Sequence, residues 1–106
     1  MDDPKPARRR TEPLLDDIGT AIVTGKDAVA FLWQVPDDAA TREQVIKLLA
    51  QIRDGSARQG RTEMPRLCED LLVAARAQPT PQQVDMLQDG FDRLYKLWAA
   101  AKSGLL

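Results

Sequence analysis

The spacing of apolar residues between positions 80 and 104 is the feature that most constrains how this chain can fold. Apolar residues recur in this segment at intervals of three and four: Val84, Leu87, Phe91, Leu94, Trp98 and Ala101. Such intervals follow one face of an α-helix. Thr80 precedes the run as an N-cap with Pro81 at the first helical position, and Gln83 completes a capping box. We therefore predict an amphipathic helix that ends at Gly104.

Three earlier segments have the same period, and no run with a period of two is long enough to predict a strand. The predicted buried stripes are Leu14, Ile18, Ile22, Gly25, Val29 and Leu32 in the first segment, Val45, Leu49, Ile52 and Ser56 in the second, and Met64, Cys68, Leu71 and Ala75 in the third. The short connections at 59–61 and 78–80 favour antiparallel neighbours. The predicted fold is all-α, an antiparallel up-down-up-down four-helix bundle.

Residues that commonly begin or end helices separate these segments. The second helix begins either in Asp37–Asp38 or at Thr41, and Gly60 is a natural end for it. Thr62 is the predicted N-cap of the third helix, which Pro79 closes.

The first helix is open to two interpretations. It is either continuous, or broken near Gly25, with Asp27 beginning a short second piece. In a continuous helix Phe31 points away from the buried stripe, so that Phe31, Trp33 and Val35 cannot all be covered and form a possible second interface. A break rotates the short piece and turns these side chains inward. We favour the break.

Residues 1–12 differ in composition from the rest of the chain, because they carry Lys5, Arg8, Arg9 and Arg10 and almost nothing apolar. Such a segment cannot offset its ordering entropy by burial. We predict a flexible basic arm over residues 1–12 and a bundle over residues 13–106. Three arginines in a row are fewer than the roughly five to eight basic residues of a nucleic-acid-binding run, so a solvated arm is favoured.

Composition excludes several classes of function. The 106 residues include one cysteine and no histidine, so an intramolecular disulfide, the usual zinc sites and catalysis by an imidazole base are all excluded. Lys and Arg number 15 against 16 Asp and Glu, a balance that favours neither nucleic acid nor an anionic membrane as partner. No apolar run is long enough to span a bilayer or to act as a signal peptide. We expect a cytoplasmic protein.

The residues needed for catalysis are also missing. No phosphate loop, dinucleotide fingerprint or nucleophile elbow occurs. The paired carboxylates, such as Asp16–Asp17 and Asp37–Asp38, are adjacent in sequence and do not converge on one substrate atom. Cys68 falls on a buried stripe, where a thiol acts as a small apolar side chain. We expect no enzymatic activity, no cofactor and no metal.

One stretch of the second helix, residues 51–58, is unusual because Gly55 interrupts a helix with a buried face, at a cost of about 1 kcal/mol. When Val45 and Ile52 face the core, a polar strip lies roughly 100–140° away from them. The predicted partner-binding residues are Gln44, Lys47, Gln51, Asp54, Gly55 and Arg58. Gly55 either leaves a notch beside this strip or lets another helix of the bundle approach closely.

The run Gly55-Ser56-Ala57-Arg58, one turn after Gln51 and followed by Gly60, resembles the active helix of histidine-containing phosphotransfer domains. That family carries the motif H-x-x-K-G-[SA] on the second core helix of a four-helix bundle. Residues 67–71 and 74–76 also resemble its following helix, and the similarity extends from residue 41 to about residue 102. Gln51 stands in the place of the phosphorylated histidine, and Asp54 stands in that of the lysine.

These departures change what the resemblance implies. A carboxamide nitrogen is not a usable nucleophile, and Asp54 would repel a phosphoryl group that a lysine would hold. The resemblance therefore implies a degenerate member of the family that docks a receiver domain of a response regulator, or a histidine kinase, without transferring phosphate. The oligomeric state stays open, with a monomer slightly favoured. The alternative is a structural bundle that acts in dimerisation or scaffolding through Phe31, Trp33 and Val35.

Overall fold

The computed structural model describes the backbone of residues 6–104 and the side chains of residues 15–104. It contains four α-helices: α1 (Pro6–Leu32), α2 (Ala39–Arg58), α3 (Glu63–Arg76) and α4 (Pro81–Lys102). No strand occurs within residues 6–104, and the prediction of an all-helical chain is confirmed. Over the same range, the helices are too short or too polar to cross a membrane.

Each helix packs against two others. In the described residues, the backbones of α1 and α3 both lie close to those of α2 and α4, whereas the backbones of α1 and α3, and those of α2 and α4, are farther apart. The core lies between the four helices and contains the predicted stripes, among them the fully buried Ile22, Leu49, Ile52, Phe91 and Leu94. Leu14, the first residue of the first predicted stripe, lies outside the described side chains.

Contacts between α1 and α4 follow a regular order along the two helices. The Trp98 indole donates a hydrogen bond to the Leu15 carbonyl at 2.7 Å, and Lys26 pairs with Asp92 at 3.2 Å. Thus residue numbers rise along α1 while those of the contacting residues fall along α4.

α1 is continuous through Gly25, so the favoured interpretation of a break at this position is wrong. The glycine is needed for packing, because a Cβ atom at Gly25 would lie 2.6 Å from Cζ of Phe91. Gly19 plays the same part for Trp98, whose Cε2 would lie 2.6 Å from an added Cβ. Both glycines allow an aromatic ring of α4 to lie directly on the backbone of α1, which compensates for their low helix propensity.

The predicted N-cap positions of α3 and α4 are confirmed, but two of their expected side-chain hydrogen bonds are not formed. The Thr80 hydroxyl accepts the Gln83 N–H at 3.0 Å, as expected of an N-cap. Gln83, however, does not complete the capping box: its side-chain amide donates to the carbonyls of Ala74 at 2.7 Å and Ala77 at 2.8 Å. Thr62 precedes α3 without a side-chain cap. Because the α3–α4 connection is short, Gln83 reaches the end of α3, where it bonds to the C-cap carbonyl of Ala77 and to the Ala74 carbonyl, which also accepts the Ala77 N–H.

The structure also defines the start and end of α2 and the start of α1. Asp38 is the N-cap of α2, which settles the choice between the two predicted starts, and Gly60 follows the helix with a φ of +78°. α1 begins at Pro6, seven residues before the predicted start at residue 13. Pro6 suits a first helical turn, where its missing N–H would have no partner. Residues 1–5 of the predicted arm lie outside the described residues.

We predict that Gly25→Ala destabilises the protein by about 1–3 kcal/mol, because the added methyl group overlaps the Phe91 ring. Without this overlap, alanine would stabilise the helix by about 1 kcal/mol, so the sign of the change is informative. Urea denaturation of the wild type, G25A, F91L and the double variant measures the interaction free energy between positions 25 and 91. In the F91L background, where the ring is absent, G25A should lower the free energy of unfolding by less than it does in the wild type. A stabilising G25A would contradict the packing role.

We also predict a pH-dependent contribution from Asp38. The carboxylate accepts hydrogen bonds from the Thr41 hydroxyl at 2.6 Å and the Thr41 N–H at 3.0 Å, and these hold the pKa of Asp38 below its ordinary value. Since the folded-state pKa is depressed, this stabilisation is complete above the unfolded pKa, near 3.8, and is lost as the pH falls through the folded pKa.

Asp38→Ala should therefore lower Tm at pH 7, and the difference from the wild type should shrink below about pH 4. Asp38→Asn is the matched control, because it keeps an acceptor oxygen but does not titrate. A difference in Tm between wild type and D38A that stays constant from pH 7 to pH 3 would show that ionisation of Asp38 does not contribute to stability.

Candidate functional site

The predicted polar strip lies on the outer surface of α2. Gln44, Lys47, Gln51, Asp54 and Arg58 are all exposed. The opposite side of the same helix is buried in the core through Val45, Leu49, Ile52 and Ser56. Gln51 is thus displayed outside the core, at the middle of the strip, as the helical projection predicts.

Gly55 differs from the other predicted residues because it is buried. It lies in a depression of about 240 Å³ between α2 and α1, which is also lined by Gln51 and Arg58 on one side and by Asp17 and Ala21 on the other. The two interpretations of Gly55 are therefore compatible. The glycine lies where α1 packs against α2, and a polar notch opens above it beside Gln51.

At the start of α2, around Thr41 and Gln44, the polar strip borders Phe31 of α1. Phe31 is 43% exposed and, with Gln44 and Thr41 of α2, lines a second depression of about 310 Å³ between the same two helices. We call the exposed surface from Phe31 and Gln44 to Arg58 the α1/α2 groove. Sequence reasoning missed the α1 side of this groove, because periodicity within one helix does not show which neighbour lies beside its polar face.

Phe31 and Trp33 do not share a groove. Trp33 lies on the opposite side of α1, where its indole donates a hydrogen bond to the Gln88 side chain of α4 at 2.8 Å. Residues two positions apart on a helix point about 200° away from each other, so Phe31 and Trp33 face different neighbours where α1 ends at Leu32. Val35 is exposed in the connection to α2. The three residues of the predicted second interface are all exposed, but Phe31 and Trp33 contact different helices.

Asp54 belongs to a small ionic network on the outer face of α2. Its carboxylate accepts from Arg53 at 3.0 Å, and Arg53 also reaches Glu69 of α3 at 3.1 Å. The hydrogen bond with Asp54 raises the pKa of the Arg53 guanidinium above its ordinary value, so Arg53 keeps its charge. The network links the outer faces of α2 and α3 and leaves a carboxylate near Gln51.

Cys68 is fully buried in the core, as predicted. Desolvation by burial raises the pKa of its thiol to about 12, so the nucleophilic thiolate is scarce at neutral pH. Among the side chains that the structure describes, no three Cys, Asp or Glu residues cluster closely enough to hold a metal ion.

Comparisons of the chain with protein-family models, with curated proteins and with solved structures found no match.

We predict that Cys68 is unreactive in the folded protein. At pH 8, native chains should react with Ellman's reagent on the order of a hundredfold more slowly than chains unfolded in guanidinium chloride, because the thiol is both protonated and inaccessible. The unfolded sample is the control for intrinsic reactivity. Equal rates in the two states would show that the thiol is accessible and would reopen a chemical role for it.

Proposed function

We propose that the protein is a non-catalytic docking module of cytoplasmic two-component signalling, which binds a receiver domain or a histidine kinase through the α1/α2 groove. The observation that carries this proposal is the position of Gln51. It is exposed beside the notch above Gly55, on the helix whose sequence resembles the active helix of histidine-containing phosphotransfer domains. A surface of this kind is available for recognition while the acceptor imidazole is absent.

We further propose that the fold is an antiparallel up-down-up-down four-helix bundle. Three further contacts support this topology. Arg42 near the start of α2 donates to the Ala75 carbonyl near the end of α3 at 3.0 Å, whereas Arg53 later in α2 pairs with the earlier Glu69. Gln83 at the start of α4 meets Ala74 at the end of α3. Each of these pairs brings later residues of one helix beside earlier residues of its neighbour.

The chemistry of the groove supports docking without phosphotransfer. The chain contains no histidine, and the amide of Gln51 does not attack phosphorus. The neighbouring Asp54 carboxylate would repel a phosphoryl group. A protein partner is suited to the groove because Phe31 offers an aromatic anchor at one end, while Lys47, Asp54 and Arg58 supply polar contacts along the strip.

We predict that a cognate receiver or histidine-kinase domain, added to ¹⁵N-labelled protein, shifts the resonances of residues that line the α1/α2 groove. Phe31→Asp should weaken binding about tenfold or more, because it places a charge at the aromatic anchor. Val73→Asp is the matched control, because Val73 is 72% exposed and lies on α3, outside the residues that line the groove.

A radiolabel experiment with the same receiver domain tests the absence of phosphotransfer. A receiver phosphorylated with ³²P-acetyl phosphate should transfer no label to this chain under conditions in which the resonances shift. Label on the chain would overturn the non-catalytic part of the proposal. Shifts confined to α3, or equal losses of binding in F31D and V73D, would overturn the assignment of the groove.

A further inference from the structure

We propose that a second surface, between α1 and α4, binds a second copy of this chain. We call it the α1/α4 face. Val23, Tyr95 and Trp98 form its centre and line a depression of about 480 Å³. Ion pairs bound it at both ends: Asp16 with Lys102 and Lys26 with Asp92. This inference does not depend on the proposed docking function, because Val23, Tyr95 and Trp98 do not line the depressions of the α1/α2 groove, although the two surfaces adjoin at Thr24.

The centre of the face is apolar and aromatic. Val23 is 48% exposed and Tyr95 40% exposed, and the Tyr95 and Trp98 rings lie 5.6 Å apart, centroid to centroid. Trp98 is held in place by its hydrogen bond to Leu15 and by its contact with Gly19. An aromatic patch that is fixed before binding loses little entropy when it is covered.

The apolar surface extends beyond the second ion pair. Trp33 is 44% exposed and lines a further depression of about 250 Å³ with Gln88 and Asp92 of α4. Exposed aromatic and aliphatic side chains therefore follow the α1/α4 contact along much of its length. Apolar surface of this extent, rimmed by charges, is typical of a protein–protein interface.

The charges around the centre repeat in a pattern. Lys26 lies 3.2 Å from the Asp92 carboxylate and 5.0 Å from the Tyr95 ring. At the other end, Lys102 lies 2.8 Å from the Asp16 carboxylate and 5.9 Å from the Trp98 ring. On both helices the acid precedes the base by ten residues, a rise of about 15 Å along a helix. The four charges thus alternate in sign around the apolar centre.

This alternation makes the face complementary to itself. When two copies meet face to face about a two-fold axis parallel to the helices, α1 of one copy lies over α4 of the other. Asp16 then faces the partner's Lys102, and Lys26 faces the partner's Asp92. A two-fold axis perpendicular to the helices also brings opposite charges together, by placing Asp16 over the partner's Lys26. Closed two-fold symmetry is the commonest arrangement of soluble homo-oligomers. Because the four charges sum to zero, the face does not favour a strongly charged ligand.

The test is the oligomeric state of the full chain, measured by sedimentation equilibrium over a wide range of concentrations in 50 mM NaCl. We expect a reversible dimer that weakens in 500 mM NaCl, because salt screens the exposed ion pairs. Val23→Glu should weaken association about tenfold or more, whereas Val73→Glu, an equivalent change on α3, should not. Circular dichroism checks that each variant folds.

A charge-exchange experiment tests self-complementarity directly. The variant K26E/K102E carries four acidic groups around the face, and D16K/D92K carries four basic groups. Each should be monomeric alone, because like charges meet in either two-fold arrangement, and an equimolar mixture should form a heterodimer. A wild type that remains monomeric at millimolar concentration, equal effects of V23E and V73E, or a mixture that fails to associate would overturn the proposal.

The outcome is separable from the test of the docking function. F31D should leave sedimentation unchanged, and V23E should leave the binding of a receiver or kinase domain unchanged. Loss of self-association in F31D with no effect of V23E would move the self-association site to the α1/α2 groove and overturn the assignment to the α1/α4 face.

Discussion

Two aromatic rings of α4 lie directly on glycines of α1, and the arrangement of the remaining surfaces depends on this contact. Phe91 packs on Gly25 and Trp98 packs on Gly19, at positions where any larger residue would overlap the ring. α1 runs without interruption past both glycines to Leu32. The two ring contacts join the helices most distant in sequence, which closes the ring of four helices around one core.

Because α1 is continuous, it contributes to two surfaces that adjoin at Thr24. One side, with Phe31, borders the polar strip of α2 and forms the groove assigned to a signalling partner. The other side, with Val23, meets the aromatic residues of α4 and forms the face assigned to a second copy. Taken together, the two proposals predict that one dimer presents two docking grooves. Dimerisation would then raise avidity for a partner that is itself dimeric.

The sequence predicted the helices well because their signals are local. Apolar spacing located the buried stripes, and Thr80 and Gly60 marked helix boundaries that the structure confirms. The exposure of Gln51 follows from the same spacing, since a helix that buries Ile52 turns Gln51 outward. Local signals were weaker at Gly25, where low helix propensity predicted a break and a distant phenylalanine made the glycine necessary. Gln83 shows the same limit, because its side chain bonds to α3 rather than to its own N-cap.

The amino-acid sequence by itself determined the number of helices, their buried faces and the absence of an acceptor histidine, since each depends on residue type or on spacing within one segment. The tertiary structure alone decided which polar and aromatic side chains lie together. Phe31 joins the strip of α2 while Trp33, two residues later, turns to α4. The two ion pairs around Val23 join residues 66 and 86 positions apart in the sequence. Helical periodicity gives the direction of a side chain from its own axis, but only the packing of neighbouring helices determines what that side chain meets.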